Sequence, residues 1–184
     1  MKTVIVKELM VPIEEYATVP QEANLYETVL ALENAQMSYD PLKHKHRAIL
    51  VLDNEKNVVG KLDMLDILMS LEPKYGELEA KGALSHSGYS PEFIKSMLKD
   101  NVFWSEPLQF ICSRAFKLNV SDFMQVLEDG VYIEENVTLD EAIHQLVVCR
   151  YQSLLVTSKE KVVGILRLSD VFAKICDTIK TCEP

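Results

Sequence analysis

The sequence contains one pattern twice, in the same order, and this repetition constrains the fold more than any single motif. A shift of 114 residues pairs Val6 with Val120, Met10 with Met124, Leu25 with Leu139, Glu27 with Glu141 and Leu32 with Leu146. A shift of 104 pairs Val58-Val59-Gly60 with Val162-Val163-Gly164, Leu62 with Leu166 and Asp66 with Asp170. The change in offset falls mostly on one longer loop in the first copy, residues 37–46.

Each copy reads as the same succession of elements. In the first, Val19-Pro20 leads to Asn24, a short polar side chain able to cap a helix, with Leu25, Val29 and Leu32 following at helical spacing. In the second, Thr138 holds the cap position. Asp140 and Glu141 follow in the first turn, where carboxylates suit the helix dipole, and Leu139, Ile143 and Leu146 face inward. Two apolar, β-branched runs come next. They are Ala48–Leu52 and 58–62 around the turn at residues 53–57, and 154–157 and 162–166 around the turn at 158–161. Such runs broken by a short polar turn predict a strand hairpin. A second helix closes each copy, Met64–Leu71 and 168–179. The unit is β-α-β-β-α, and the class is α+β. The division expected is 1–72 for the first copy, 73–117 for a connector and 118–184 for the second copy.

The connector has its own helix signals, Ser90-Pro91-Glu92 and Ser105-Glu106-Pro107, each a cap residue close to a first-turn proline. Two helices, 91–99 and 106–117, are expected to pack on the copies. Phe93, Phe103, Trp104, Leu108 and Phe110 are the apolar side chains available for burial there.

The segments Gly60-Lys-Leu-Asp-Met-Leu-Asp66 and Gly164-Ile-Leu-Arg-Leu-Ser-Asp170, with openings Val6–x–x–x–Met10 and Val120–x–x–x–Met124, carry a family resemblance. In repeat register they resemble a tandem pair of cystathionine β-synthase (CBS) domains. The resemblance covers both copies and leaves the connector out. It implies a pseudo-symmetric pair of small sheets whose clefts bind an adenosine-containing ligand: AMP, ADP, ATP or S-adenosylmethionine. It also implies a regulatory module rather than an enzyme, and a homodimer. With no catalytic or membrane domain in these 184 residues, the regulated partner is expected to be a separate protein. The alternative is a structural interaction protein that dimerises through its repeats without a ligand.

The residues give these expectations chemical content. A missing side chain at Gly60 and Gly164 permits close approach of backbone or ligand. Asp66 and Asp170 fall in the first turn of a helix, where a carboxylate can accept from both hydroxyls of a ribose or simply cap the helix. The free amides of that helix end suit a phosphate. Three residues before each Asp, the family's Ser or Thr is replaced by Asp63 in one copy and Arg167 in the other. Asp63 can cap but repels a phosphate. Arg167 cannot cap, which leaves Ser169 as the alternative, but its guanidinium can clamp a phosphate with two hydrogen bonds or pair with an acid. Nucleotide binding is therefore expected mainly around Arg167 and Asp170. The resemblance places Tyr132 and Ile133 on the segment that lines the adenine, with packing between the sheets as the other role open to Tyr132.

Charge narrows the search further. Nineteen Lys and Arg against 28 Asp and Glu leave a net charge of −9, unsuited to general nucleic-acid binding. A phosphate site must be local, at Arg167 or in the only dense basic run, Lys43-His44-Lys45-His46-Arg47. Arg47 enters a strand from that run. His44 and His46 share one side of an extended segment but have no third metal ligand nearby. No cofactor is required by any motif, and P-loop, G-x-S-x-G and H-E-x-x-H patterns are missing. The apolar run before Lys7 falls short of the roughly 7–15 residues of a secretory signal. The four cysteines form no C-x-x-C pair, so a reduced, cytoplasmic setting without membrane contact is expected.

Overall fold

The computed structural model describes residues 4–38, 45–72, 74–75, 90–100 and 109–181. The expected unit appears twice. The first copy runs β2 (Thr18–Pro20), α1 (Leu25–Ser38), β3 (Ala48–Leu52), β4 (Val58–Asp63) and α2 (Met64–Leu71). The second runs β6 (Tyr132–Glu134), α5 (Leu139–Cys149), β7 (Ser153–Ser158), β8 (Lys161–Arg167) and α6 (Leu168–Lys180). Ahead of them lie two short strands, β1 (Val11–Pro12) and β5 (Gln125–Val126), and the connector contributes α3 (Pro91–Asp100) and α4 (Gln109–Ala115).

The opening segments are exchanged between the copies. One sheet has the order β2-β3-β4-β5 and the other β1-β8-β7-β6, so each short strand completes the sheet of the other copy. The backbone repeats this exchange with matched bonds. Val6 N–H donates to Val137 O and Leu139 N–H to Val4 O; Val120 N–H donates to Ala23 O and Leu25 N–H to Leu118 O. Val6 and Val120, equivalent in the repeat, are both fully buried, each within the other copy's apolar cluster. The pairing of these valines by the 114-residue shift thus has a packing cause.

The uninterrupted apolar strands follow from burial on both faces. On β3, Ile49 and Val51 enter the cluster beneath α1 and α2, while Leu50 enters the cluster between the sheets. On β7, Leu154 and Val156 join the cluster with Val6 and Leu139, and Leu155 points to the inter-sheet layer. This alternation is the period of two expected of strands. Burying such side chains contributes roughly 1.5–3 kcal/mol each.

Caps define the helix starts unequally. Asn24 Oδ1 accepts from Glu27 N–H at 2.9 Å and Glu27 Oε2 accepts from Asn24 N–H at 2.9 Å, a reciprocal capping box. Thr138 makes no such cap; its hydroxyl donates to Glu141 Oε1 at 3.1 Å.

The connector differs from expectation in its aromatic residues. Helix α3 spans Pro91–Asp100, but Phe93 is 43% and Phe110 49% exposed. The connector buries Ala115 instead, at the end of α4, and Arg114 Nη1 donates to Leu71 O at the end of α2. Phe103, Trp104 and Leu108 lie outside the described residues. Among the described residues no helix is long and apolar enough to cross a membrane. Cys112, Cys149 and Cys176 are free thiols.

Candidate functional site

A cavity of about 660 Å³ opens where the two copies meet. Its walls come from equivalent positions of both. Asp63, Met64 and Leu65 at the start of α2 face Arg167, Leu168 and Ser169 at the start of α6. Val51 pairs with Gly60 and Val156 with Gly164, so Arg47 and Ala48 before and on β3 correspond to Gln152 and Ser153, and all four line the cavity. The cavity therefore straddles the pseudo-twofold relation between the copies. Tyr16, Lys45, Lys61 and Phe172 complete the lining.

Arg167 ends β8, and its side chain turns back over the first turn of α6. Its Nη2 lies 2.8 Å from Asp170 Oδ1 and its Nε 2.5 Å from Oδ2, a fork-on-carboxylate pair. The side chains are 7% and 13% exposed. Arg167 contributes no side-chain cap to α6.

The first copy handles the same place differently. Asp63 Oδ1 accepts from Leu65 N–H at 2.8 Å and from Asp66 N–H at 3.1 Å, and Asp66 Oδ2 accepts from Asp63 N–H at 2.7 Å. The two form a capping box on α2. Gln125 Nε2, brought by the exchanged strand β5, donates to both Asp66 oxygens at 3.0 and 2.9 Å. Burial raises the Asp66 carboxyl above its ordinary range, opposed by the hydrogen bonds from Asp63 N–H and Gln125.

Other expected site residues are distributed as follows. Arg47 lines the cavity from its exposed position; Lys43 and His44 lie outside the described residues. Gly60 and Gly164 are in strands, and each is approached by the other copy's opening segment. A Cβ at Gly164 would sit 2.6 Å from Val11 O, and one at Gly60 would collide with the Met124 side chain. Tyr132 packs against the inter-sheet cluster and Ile133 against the second copy's core; neither lines the cavity. Burial, then Asp129, raises the Tyr132 phenol. His46 is fully buried, its ring edge-on to Tyr16 with centroids 4.4 Å apart, and burial and then Arg167 lower its pKa to about 4. Among the described residues no three His, Cys, Asp or Glu side chains are grouped to hold a metal.

Lys61 is the residue that reading the motifs missed. It lies on β4 with its Nζ donating to Ser153 Oγ at 3.4 Å across the two sheets. Burial pulls its proton affinity below the ordinary value, against the pull of Asp63 and Asp66. The repeat held the signal: the equivalent residue is Ile165, so a charge stands where the other copy is apolar.

The family model of the CBS domain matches residues 120–177. Solved structures extend the likeness to both copies. CBSX2 in complex with AMP is similar over 94% of this chain and 97% of that one, at 16% identity and a TM-score of 0.59. The chain folds as a tandem CBS-domain pair. A CBS domain-containing protein of unknown function from Bacillus anthracis is similar over 96% of this chain and 95% of its own, at 16% identity and TM-score 0.60. The CBS domain of a bacterial CNNM/CorC family Mg2+ transporter in complex with ATP follows at 15% identity, 95% and 89% coverage and TM-score 0.59. No curated protein matches the sequence. The exchanged opening strands, the two hairpins and the helix starts at Asp63 and Arg167 are thus parts of the fold that these structures share.

Proposed function

We propose that this CBS pair is a regulatory module that takes one adenosine nucleotide in the cavity between its copies and signals occupancy to a separate protein. The observation that carries this reading is a local reversal of charge. In a chain of net charge −9, the cavity lining holds Lys45, Arg47, Lys61 and Arg167 against the single carboxylate of Asp63. Such a site concentrates an anion. The volume suits a small ligand, and Met64, Leu65, Leu168 and Phe172 offer an apolar wall for a base. The relatives solved with AMP and with ATP support the ligand class. Because both copies form the walls, a ligand that favours one arrangement of the copies over another shifts their packing, which is the coupling regulation needs. The same reading carries a homodimer, supported by Leu65, Leu68 and Phe172 exposed on α2 and α6.

The ligand-free interaction protein is favoured by a different observation. Both candidate ribose acceptors already have partners, Asp66 with Gln125 and Asp170 with Arg167. A thermal-shift series with AMP, ADP, ATP, S-adenosylmethionine and NAD separates the two readings. A concentration-dependent rise in melting temperature with an adenosine nucleotide, lost in Arg47→Ala, is expected. No rise with any of them, and no nucleotide retained in purified protein by mass spectrometry, favours the interaction protein.

A further inference from the structure

The repeat accounts for most of the cavity but not for Lys61. Its equivalent, Ile165, is fully buried in the layer between the sheets, so the fold asks for an apolar side chain at this position. Lys61 is 7% exposed there and faces the cavity. The Ser153 hydroxyl 3.4 Å away is a weak neutral partner. Among the described residues no carboxylate forms an ion pair with it. Asp63 and Asp66 attract it without pairing, but a buried ammonium with no ion-paired carboxylate is still costly, and an apolar residue of similar size would be more stable. The nearby Arg167 already has its carboxylate in Asp170, whereas Lys61 does not.

The cations come from both sheets, and the Lys61 ammonium reaches across to Ser153, the cross-strand partner of Arg167. Lys61 belongs to β4 of one sheet and Arg167 to β8 of the other, with Arg47 leading into β3. A single phosphate group carries at most about −2 at neutral pH, less than the combined charge of Lys45, Arg47 and Lys61 on the lining. A chain of two or three phosphates brings more charge and reaches further along it.

Resting on the nucleotide reading above, we propose that Lys61 is the counter-charge for the phosphate chain of one nucleoside di- or triphosphate, and the residue that selects it over a monophosphate. The test is calorimetric titration of the full chain, in metal-free buffer, with AMP, ADP, ATP and inorganic tripolyphosphate, repeated with Lys61→Met, Lys61→Gln and Lys61→Arg. ADP and ATP should bind about tenfold or more tighter than AMP, the worth of a charge-assisted hydrogen bond. Lys61→Met and Lys61→Gln should erase that gap while melting no lower than the parent, and Lys61→Arg should keep part of it. AMP binding as tightly as ATP, or a gap that survives in Lys61→Met and Lys61→Gln, overturns the role of Lys61 and leaves the nucleotide reading standing. Tripolyphosphate binding as tightly as ATP, with no contribution from adenosine, supports Lys61 as a phosphate-chain residue and overturns the nucleotide reading. Binding by none of the four overturns both.

Discussion

The Arg167 guanidinium grips the Asp170 carboxylate across one turn of α6, with Nη2 to Oδ1 at 2.8 Å and both side chains largely withdrawn from water. The equivalent carboxylate in the other copy, Asp66, is gripped instead by Gln125 from the exchanged strand. Two equivalent acids are thus held by unlike partners.

Arg167→Ala should act on binding and stability together. It removes a cationic wall of the cavity and leaves Asp170 half-buried without its cation. Breaking a buried pair from one side costs on the order of 3 kcal/mol. Nucleotide affinity should fall about tenfold, as for other lost charge-assisted bonds. Urea melts and calorimetry check the two effects; a stability loss with unchanged affinity would make the residue purely structural.

Lys61→Met should stabilise the unliganded chain at neutral pH. Unfolded lysine holds its proton up to about 10.5, whereas burial makes folded Lys61 release it at lower pH. Between those values the unfolded state binds more protons, so stability rises with pH through that window. The advantage of Lys61→Met over the parent should therefore shrink as pH climbs toward 10.5. An advantage independent of pH, or a destabilised variant, would contradict the buried ammonium.

His46 predicts the opposite end of the pH scale. Its folded pKa is lowered from the ordinary 6.5 to about 4 by burial and then by Arg167. The stability it preserves is complete above 6.5 and is lost as pH falls toward 4. In His46→Gln the fall in melting temperature over that interval should be shallower. An unchanged slope would assign the acid sensitivity to other groups.

The two strand glycines should respond unequally to alanine. At Gly164 the added methyl meets the Val11 backbone carbonyl, which is fixed in the β1–β8 pair; at Gly60 it meets the flexible Met124 side chain. Gly164→Ala should cost roughly 1–3 kcal/mol and Gly60→Ala less, since a side chain can turn aside. Denaturant midpoints with a common slope would rank them, and the reverse order would refute the exchange as the reason for these glycines.

Much of this architecture was legible because the repeat states its own register. Leu25 with Leu139 and Gly60 with Gly164 align the elements of both copies, and burial of Ile49, Leu50 and Val51 on both faces of β3 explains the apolar run. The exchange was not legible, because Val6 and Val120 show that two segments are equivalent without showing which sheet each completes. Arg167 and Asp170 were marked by their motif, but their mutual grip depends on a side-chain rotamer that spacing does not specify. Lys61 was hidden within a strand, and only its opposition to Ile165 sets it apart. Phe93 reads as a core residue by hydropathy, yet lies exposed on α3, since the connector buries Ala115.

A crystal structure of the chain grown with millimolar ATP should show one nucleotide per chain in the cavity between the copies, its phosphates within hydrogen-bond distance of Lys61, Arg47 or Arg167 and its base against Phe172. A cavity without nucleotide at that concentration, or a nucleotide bound elsewhere on the chain, would contradict the nucleotide reading.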